Sequence, residues 1–217
     1  MHRSARSMVG QYENPSFGLK AYLHARWLVC PFDRVLPLVP EEGRLLDVGC
    51  GSGLWLTYLA LERPRLELEG VDPDPGKLAL AATSRAGEWT LHEGSADGLP
   101  EGTYDCITIL DVLYLMSDAV KSAVLAGCFR TLKPGGSLIV KELDTKPRWK
   151  FAPSALEEFV AVRLVNLTHG EQLHFQPVDD LAEAVVQTGF SDAEVLRIDR
   201  GYMHPHVVVR ARKPGGQ

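Results

Sequence analysis

The residues of this chain that point most directly to chemistry are an acid and three alternate glycines: Asp47, Gly49, Gly51 and Gly53. Glycines let the backbone turn sharply and let a ligand lie against it where a Cβ would clash. The apolar segment 54–61 that follows predicts a helix whose first N–H groups are unpaired and face the same place. A carboxylate at this position favours a ligand with an amino group over a pyrophosphate.

Stretches typical of strands and helices alternate around this loop. Strands are predicted over 44–48, 66–71, 88–93, 105–110 and 137–141, and helices over 53–63, 75–85 and 119–132. This alternation predicts an α/β fold in which a mostly parallel sheet carries helices on both faces.

The alternation of strands and helices ends near the C-terminus. There a helix is predicted over 178–188, followed by two strands over 193–198 and 206–212. Only residues 199–205 separate these two strands. Because a parallel crossover needs about a dozen residues or more, the pair is predicted to form an antiparallel hairpin. The whole is a Rossmann-like sheet of seven strands.

Length, composition and net charge limit the classes of protein to which this chain can belong. With 217 residues, 45% of them hydrophobic, residues 1–217 are predicted to form a single domain with a full core. The net charge of −5 gives no support to a nucleic-acid surface. The basic residues between 141 and 150 are interpreted as a solvated loop: Lys141, Lys146, Arg148 and Lys150.

The chain shows no signal-peptide pattern and no apolar run long enough to span a membrane. Its cysteines are scattered, which favours reduced thiols over a disulfide framework or a zinc site. We therefore expect a cytoplasmic protein without a bound metal.

Two segments lie outside the predicted sheet. Residues 1–40 are predicted to form an N-terminal helical cap, and residues 145–177 an inserted lid or pocket segment with a helix over 153–167. That apolar helix either packs on the edge of the sheet or lines a pocket. The second case favours an aromatic, polyketide-like or lipid-like small molecule.

Five pieces of sequence, in order and spacing, resemble the class I S-adenosylmethionine-dependent methyltransferases. They cover roughly residues 40–145, and the resemblance extends to the C-terminus through the hairpin. The pieces are the Asp47–Gly53 loop, Gly70-Val71-Asp72 ending 19 residues beyond Gly53, Ser95-Ala96-Asp97, the strand and exit 105–111, and the turn Leu132–Gly136. The Gly-x-Gly-x-x-Gly fingerprint of nicotinamide dehydrogenases fails, because Leu54 and Leu56 stand where its last glycine belongs.

The resemblance implies S-adenosyl-L-methionine as cofactor. The glycine loop is expected to hold its methionine part, Asp72 the ribose, and Ala96 with Asp97 the adenine. Asp111 and Leu113 are expected to border the point of methyl transfer. The complete set of expected cofactor residues is Asp47, Gly49, Cys50, Gly51, Gly53, Asp72, Pro73, Ala96, Asp97, Asp111 and Leu113.

The acceptor side is predicted from topology. In parallel α/β sheets ligands bind outside the carboxyl ends of the strands, where the 199–205 turn would also lie. His204 and His206 are therefore candidate general bases, although both also fit a solvent-exposed hairpin. The candidate substrate pocket is formed by Tyr22, Tyr114, Glu142, Trp149, Phe159 and Tyr202.

Methyl transfer to a small, apolar metabolite is the predicted function, with O-methylation ahead of C- and N-methylation. Two alternatives share the fold: a regulatory subunit that binds the cofactor without catalysis, and aminopropyl transfer, which would require an acid-lined cavity. The expected partner is a small molecule, with no nucleic acid and no stable membrane insertion, in a monomer or homodimer.

Overall fold

A computed structural model describes residues 3–94, 98–146 and 174–215. Within them, seven strands form one sheet in the order β3-β2-β1-β4-β5-β7-β6. Strand β7 pairs antiparallel with β5 and with β6, and the other strand pairs are parallel. The predicted fold with its antiparallel C-terminal hairpin is thereby confirmed. The strands are β1 Glu42–Val48, β2 Arg65–Asp72, β3 Thr90–Glu93, β4 Tyr104–Leu110, β5 Leu132–Leu143, β6 Ser191–Arg197 and β7 His206–Arg212.

Helices cover both faces of this sheet. In the part of the chain that the structure describes they are α1 Ala5–Val9, α2 Phe17–Val29, α3 Phe32–Val35, α4 Leu54–Glu62, α5 Pro75–Ala81, α6 Asp118–Thr131 and α7 Val178–Gln187. Local capping fixes several of their starts. The hydroxyl of Ser16 accepts a hydrogen bond from Leu19 N at the start of α2, and Asp74 caps α5 ahead of a proline.

Two elements differ from the prediction. Helix α5 ends at Ala81 instead of residue 85 because the N-terminal segment takes the following backbone groups: Glu13 N donates to Thr83 O, and Arg85 N to Gln11 O. Strand β5 begins at Leu132, inside the predicted turn, because Leu132 pairs with Tyr104 before an irregularity in the ladder. The helix predicted over 153–167 lies outside the described residues.

Each face of the sheet carries its own apolar core. On one face α1 to α5 bury a group of aromatic rings, in which Phe32 stacks on both Trp27 and Trp55 with centroids 5.5 and 5.6 Å apart. On the other face α6 and α7 pack on the sheet around Leu125 and Val185. Burial of these faces is the main source of stability.

The N-terminal segment is hydrogen-bonded in two places to the edge formed by the carboxyl ends of the parallel strands. At the glycine loop, Tyr12 Oη donates to Ser52 O at 2.9 Å. At the hairpin, His206 Nε2 lies 2.9 Å from Val29 O. Segments that are far apart in sequence therefore meet at the edge where a parallel sheet binds its ligands.

The basic run is only partly a solvated loop. Lys146 is exposed, but Lys141 lies inside β5 and is fully buried. Among the described residues, no helix combines the length and apolar character that crossing a membrane requires.

Candidate active site

The three alternate glycines all adopt positive φ angles, as the turn requires. A Cβ at Gly49 would stand 2.5 Å from the side chain of Val112, and one at Gly53 would stand 2.8 Å from Cβ of Ala81. A Cβ at Gly51 would meet nothing within 4 Å. Two of the glycines are thus required by the packing of the protein itself, and only Gly51 borders open space that a ligand can fill.

Asp47 lies at the end of β1 with 3% of its surface exposed. Its Oδ1 accepts a hydrogen bond from Thr108 Oγ1 at 2.7 Å, while Oδ2 has no donor among the described residues. Burial raises the pKa of Asp47 to about 7, although the Thr108 hydroxyl favours the charged form. A buried carboxylate oxygen that lacks a donor suits a cationic amino group.

Asp72 ends β2 on the next strand and holds the backbone of two turns. Its Oδ2 accepts from Gly51 N at 2.9 Å, and its Oδ1 accepts from Asp74 N at 3.0 Å. Each carboxylate oxygen has a second lone pair, so both retain capacity for ribose hydroxyls. Cys50 is buried beside Asp72, whereas Pro73 is exposed. Ala96 and Asp97 lie outside the described residues.

Asp111 ends β4 in a left-handed conformation, with φ of 58°. Its carboxylate is held between two cations, since Lys141 Nζ lies 2.5 Å from Oδ1 and an Arg26 nitrogen 2.8 Å from Oδ2. Burial alone would raise the pKa of Asp111, but the two cations outweigh it and hold that pKa well below its usual range. The triad Arg26–Asp111–Lys141 joins α2, β4 and β5.

Glu142 leaves β5 beside this triad and is buried. Its Oε1 accepts from the backbone N–H groups of Val112 at 3.1 Å and Leu113 at 2.7 Å. Burial, assisted by the charge of Asp111, raises the pKa of Glu142 to about 8. The side chain therefore clamps the chain that follows β4, and Leu113 itself is buried there.

The hairpin turn reaches the same edge, but its histidines are not solvent-exposed. His204 and His206 are both buried, with ring centroids 5.7 Å apart. Burial and the charge of Lys141 lower the pKa of His206 to about 2. Its Nδ1 has no hydrogen-bond partner among the described residues. Tyr202 packs edge-on against His206 and places its hydroxyl 3.4 Å from Asp33. The roles of both histidines as bases stay predictions, and the low pKa makes His206 a poor proton acceptor.

Two stacked aromatic side chains form a wall near Glu142. Tyr114 stacks on Phe175 with centroids 4.9 Å apart. Lys121 Nζ on α6 donates to His174 O at 2.8 Å and holds the backbone at residue 174 against α6. A small cavity lies between this wall and Glu142. Tyr22 is partly exposed on α2. Trp149 and Phe159 lie outside the described residues.

Two charged residues and one hydroxyl of this site were missed by the sequence analysis: Arg26, Lys141 and Thr108. Lys141 carried the clearest signal, because it follows the apolar run Leu138–Val140 in a strand where a cation must find a buried partner. Arg26 stands one turn after Tyr22 on α2, and nothing in the local sequence shows that α2 crosses the cleft. Within residues 3–94, 98–146 and 174–215, no group of three His, Cys, Asp or Glu side chains is arranged to hold a metal.

Comparison with known proteins agrees with this geometry. A family model described as a methyltransferase domain matches residues 22–195. The chain belongs to the methyltransferase-domain family. This confirms the resemblance to the S-adenosylmethionine-dependent enzymes, and S-adenosylmethionine is the cofactor that the fold implies.

Individual relatives match part of this chain. It is 33% identical over 131 residues to a demethylmenaquinone methyltransferase of Thermus thermophilus, covering 58% of each chain. It is 28% identical over 141 residues to a ubiquinone biosynthesis O-methyltransferase of Pseudomonas savastanoi pv. phaseolicola, covering 62% of this chain and 59% of the relative. The match thus spans about three fifths of these relatives' length.

One solved structure extends the comparison to the whole fold. Human N-acetylserotonin methyltransferase, determined in complex with S-adenosylmethionine, aligns with a TM-score of 0.69 at 19% identity. The alignment covers 98% of this chain and 57% of the human one. At that identity, the likeness shows the fold alone.

The open space at Gly51 yields a first prediction. Gly51→Ala and Gly135→Ala both place a Cβ in a left-handed residue with no neighbour within 4 Å, so each should lower the free energy of unfolding by about 1–2 kcal/mol. Only Gly51→Ala should weaken S-adenosylmethionine binding, by about tenfold or more, measured by calorimetric titration. Equal affinities of the two variants would show that the ligand does not lie against Gly51.

Glu142 yields a prediction on pH. A carboxyl whose pKa is raised on folding, here from 4.5 to about 8, contributes stability below 4.5 that is lost as the pH rises through 8. Glu142→Gln keeps the Oε1 acceptor and cannot ionise. The melting temperature of this variant, relative to the native protein, should therefore rise steadily across that interval and then level off. The exposed Glu88→Gln is the control, and a difference that does not change with pH would contradict the burial argument.

Proposed function

We propose that the protein transfers a methyl group from S-adenosylmethionine to a hydroxyl oxygen of a small aromatic molecule. The observation that carries the cofactor half is the open space at Gly51, whose backbone N–H donates to the buried carboxylate of Asp72, together with the buried carboxylate of Asp47 at the end of β1. The acceptor half is supported by the aromatic wall of Tyr114 and Phe175 at the same edge of the sheet. Relatives named as quinone-pathway methyltransferases fit an aromatic acceptor.

The charged groups suit the two ends of the cofactor's amino acid part. Oδ2 of Asp47 is available to the ammonium group. The guanidinium of Arg26 pairs with Asp111 at the exit of β4, and its charge also favours the ionised form of Asp47. Only one of its five N–H donors has a carboxylate partner among the described residues, which leaves others for the ligand's carboxylate.

When bound, S-adenosylmethionine supplies a sulfonium methyl group: a lone pair of the acceptor oxygen forms the new O–C bond, the S–C bond breaks with its electrons on sulfur, and the hydroxyl proton leaves. In this proposal His204 receives that proton, since burial lowers the pKa of His206 to about 2 and makes it a poor base. The wall of Tyr114 and Phe175 orients the acceptor ring. Alignment of the reacting atoms lowers the reaction barrier more than the base does, by up to about 7–11 kcal/mol in model systems.

The same charges argue against aminopropyl transfer. That reaction needs acidic residues to hold a polyamine, but Asp111 is already neutralised by two cations. Glu142 has a raised pKa and is mostly uncharged near neutral pH. Neither Asp111 nor Glu142 therefore offers an unpaired negative charge to a polycationic acceptor.

Cofactor binding provides one test. A bound ammonium group requires Asp47 to be ionised, so affinity for S-adenosylmethionine should fall as the pH drops below about 7. Asp47→Asn should remove this pH dependence and bind ~10–100-fold more weakly at neutral pH, because hydrogen bonds to charged groups contribute about 1.5–3 kcal/mol. Calorimetric titration measures both effects, with the exposed Asp179→Asn as control and NADH as a ligand expected not to bind. Failure of S-adenosylmethionine to bind the folded protein would reject the proposal.

Product analysis tests the reaction itself. The protein is incubated with S-adenosylmethionine carrying a ¹³C-labelled methyl group and a panel of hydroxylated aromatic compounds, and the chemical shift of the transferred carbon distinguishes O-methyl from C-methyl products. We expect labelled O-methyl product. C-methyl product would correct the acceptor atom, and binding of the cofactor without any product across the panel would favour the regulatory subunit.

A further inference from the structure

A chain of hydrogen bonds runs from the aromatic core to the carboxylate at the glycine loop. Trp55 Nε1 donates to Thr108 Oγ1 at 3.3 Å, and Thr108 Oγ1 donates to Asp47 Oδ1 at 2.7 Å. The three side chains come from α4, β4 and β1, and Trp55 and Thr108 are both buried, with Thr108 fully so. Register places Thr108 directly opposite Asp47 on the neighbouring strand.

The direction of this chain is fixed by its members. An indole N–H can only donate, and a hydroxyl has a single hydrogen. Because Trp55 occupies a lone pair of the Thr108 oxygen, the hydroxyl hydrogen is directed to Asp47. Donation from the indole also polarises the hydroxyl and strengthens the bond that it makes.

The presence of a buried threonine hydroxyl in a sheet packed between two apolar layers needs an explanation. Valine has nearly the same shape and would avoid burying a polar group. Thr108 lies in the strand Tyr104–Leu110, where its neighbours on the same face, Cys106 and Leu110, are buried in the apolar core that also contains Trp55. Since its hydroxyl donates only to Asp47, its contribution is to the state of that carboxylate.

We propose that Thr108, oriented by Trp55, is a positioning residue that favours the ionised form of Asp47 and turns its second oxygen toward the cofactor's ammonium group. With Oδ1 held by Thr108, the carboxylate cannot rotate freely, and Oδ2 remains available to the ligand. This inference rests on the proposed function, since it assumes that Asp47 holds the ammonium group.

The other groups around Asp47 make this hydrogen bond necessary. Asp72 on β2 repels its charge, and burial disfavours it further. Of the charges acting on Asp47, Arg26 on α2 favours ionisation, but it is itself paired with Asp111. The thiol of Cys50 on the glycine loop is neutral, because burial raises its pKa. The Thr108 hydroxyl is thus the group in direct contact that stabilises the carboxylate.

The test is the pH at which affinity for S-adenosylmethionine begins to fall, measured by calorimetric titration over a range of pH. Thr108→Val should move that midpoint upward by about one pH unit, which corresponds to about tenfold weaker binding below the midpoint. Thr108→Ser keeps the hydroxyl and should restore the native midpoint. Trp55→Phe should shift it in the same direction but less. These expectations concern binding and do not depend on turnover.

The matched control is Thr57→Val, which removes another fully buried threonine hydroxyl, one whose partners are Tyr12 and Ser84. It should change thermal stability without moving the midpoint. A midpoint that is unchanged in Thr108→Val, while Asp47→Asn still abolishes the pH dependence, would overturn the role of Thr108 alone. A native protein that does not bind S-adenosylmethionine, or binds it without pH dependence, would instead reject the role of Asp47 in the proposed function.

Discussion

The arrangement of the cleft depends on the burial of one negative charge, that of Asp111. A buried carboxylate is costly unless it is paired, and this one is paired twice, with Lys141 from β5 and Arg26 from α2. Removing either cation would leave an imperfectly compensated charge. The triad consequently ties the end of β4 to the central sheet on one side and to the N-terminal helices on the other. Its position also explains why Asp111 tolerates a left-handed backbone, since both carboxylate oxygens are fixed from outside.

Three carboxylates at this edge of the sheet are given different properties by their surroundings. Asp111 is held ionised by two cations, whereas burial raises the pKa of Glu142 to about 8 and of Asp47 to about 7. Glu142 uses one oxygen to hold two backbone N–H groups, a role that does not require a charge. Asp47 lies near the balance between its two states, so a cationic ligand can ionise it. The carboxyl group thus supplies a structural ion, a neutral hydrogen-bond acceptor and a ligand-responsive group.

The sequence predicted the fold more fully than the site, for a physical reason. Strand and helix patterns are local, so the sheet and the antiparallel hairpin followed from periodicity and from the short 199–205 connection. The glycine loop, Asp72 and the exit of β4 also stand in local motifs, and the structure brings Asp47, Asp72 and Asp111 to one edge. Arg26, Lys141 and Thr108 carry no motif, since their roles arise from partners on other elements. Lys141 was misjudged because a basic side chain was assumed to be solvated, although its strand is central.

The glycines show the same division between local and distant causes. Motif reasoning assigned all three alternate glycines of the loop to a ligand. The structure separates them, because Val112 packs where a Cβ of Gly49 would lie and Ala81 packs where one of Gly53 would lie. Val112 belongs to the turn that Glu142 clamps, so the glycine loop is in contact with the acceptor side through this one side chain. A shift of the 111–114 turn would therefore be transmitted to the loop that borders the cofactor space. The close approach required at Gly49 is accordingly a link between the two halves of the site.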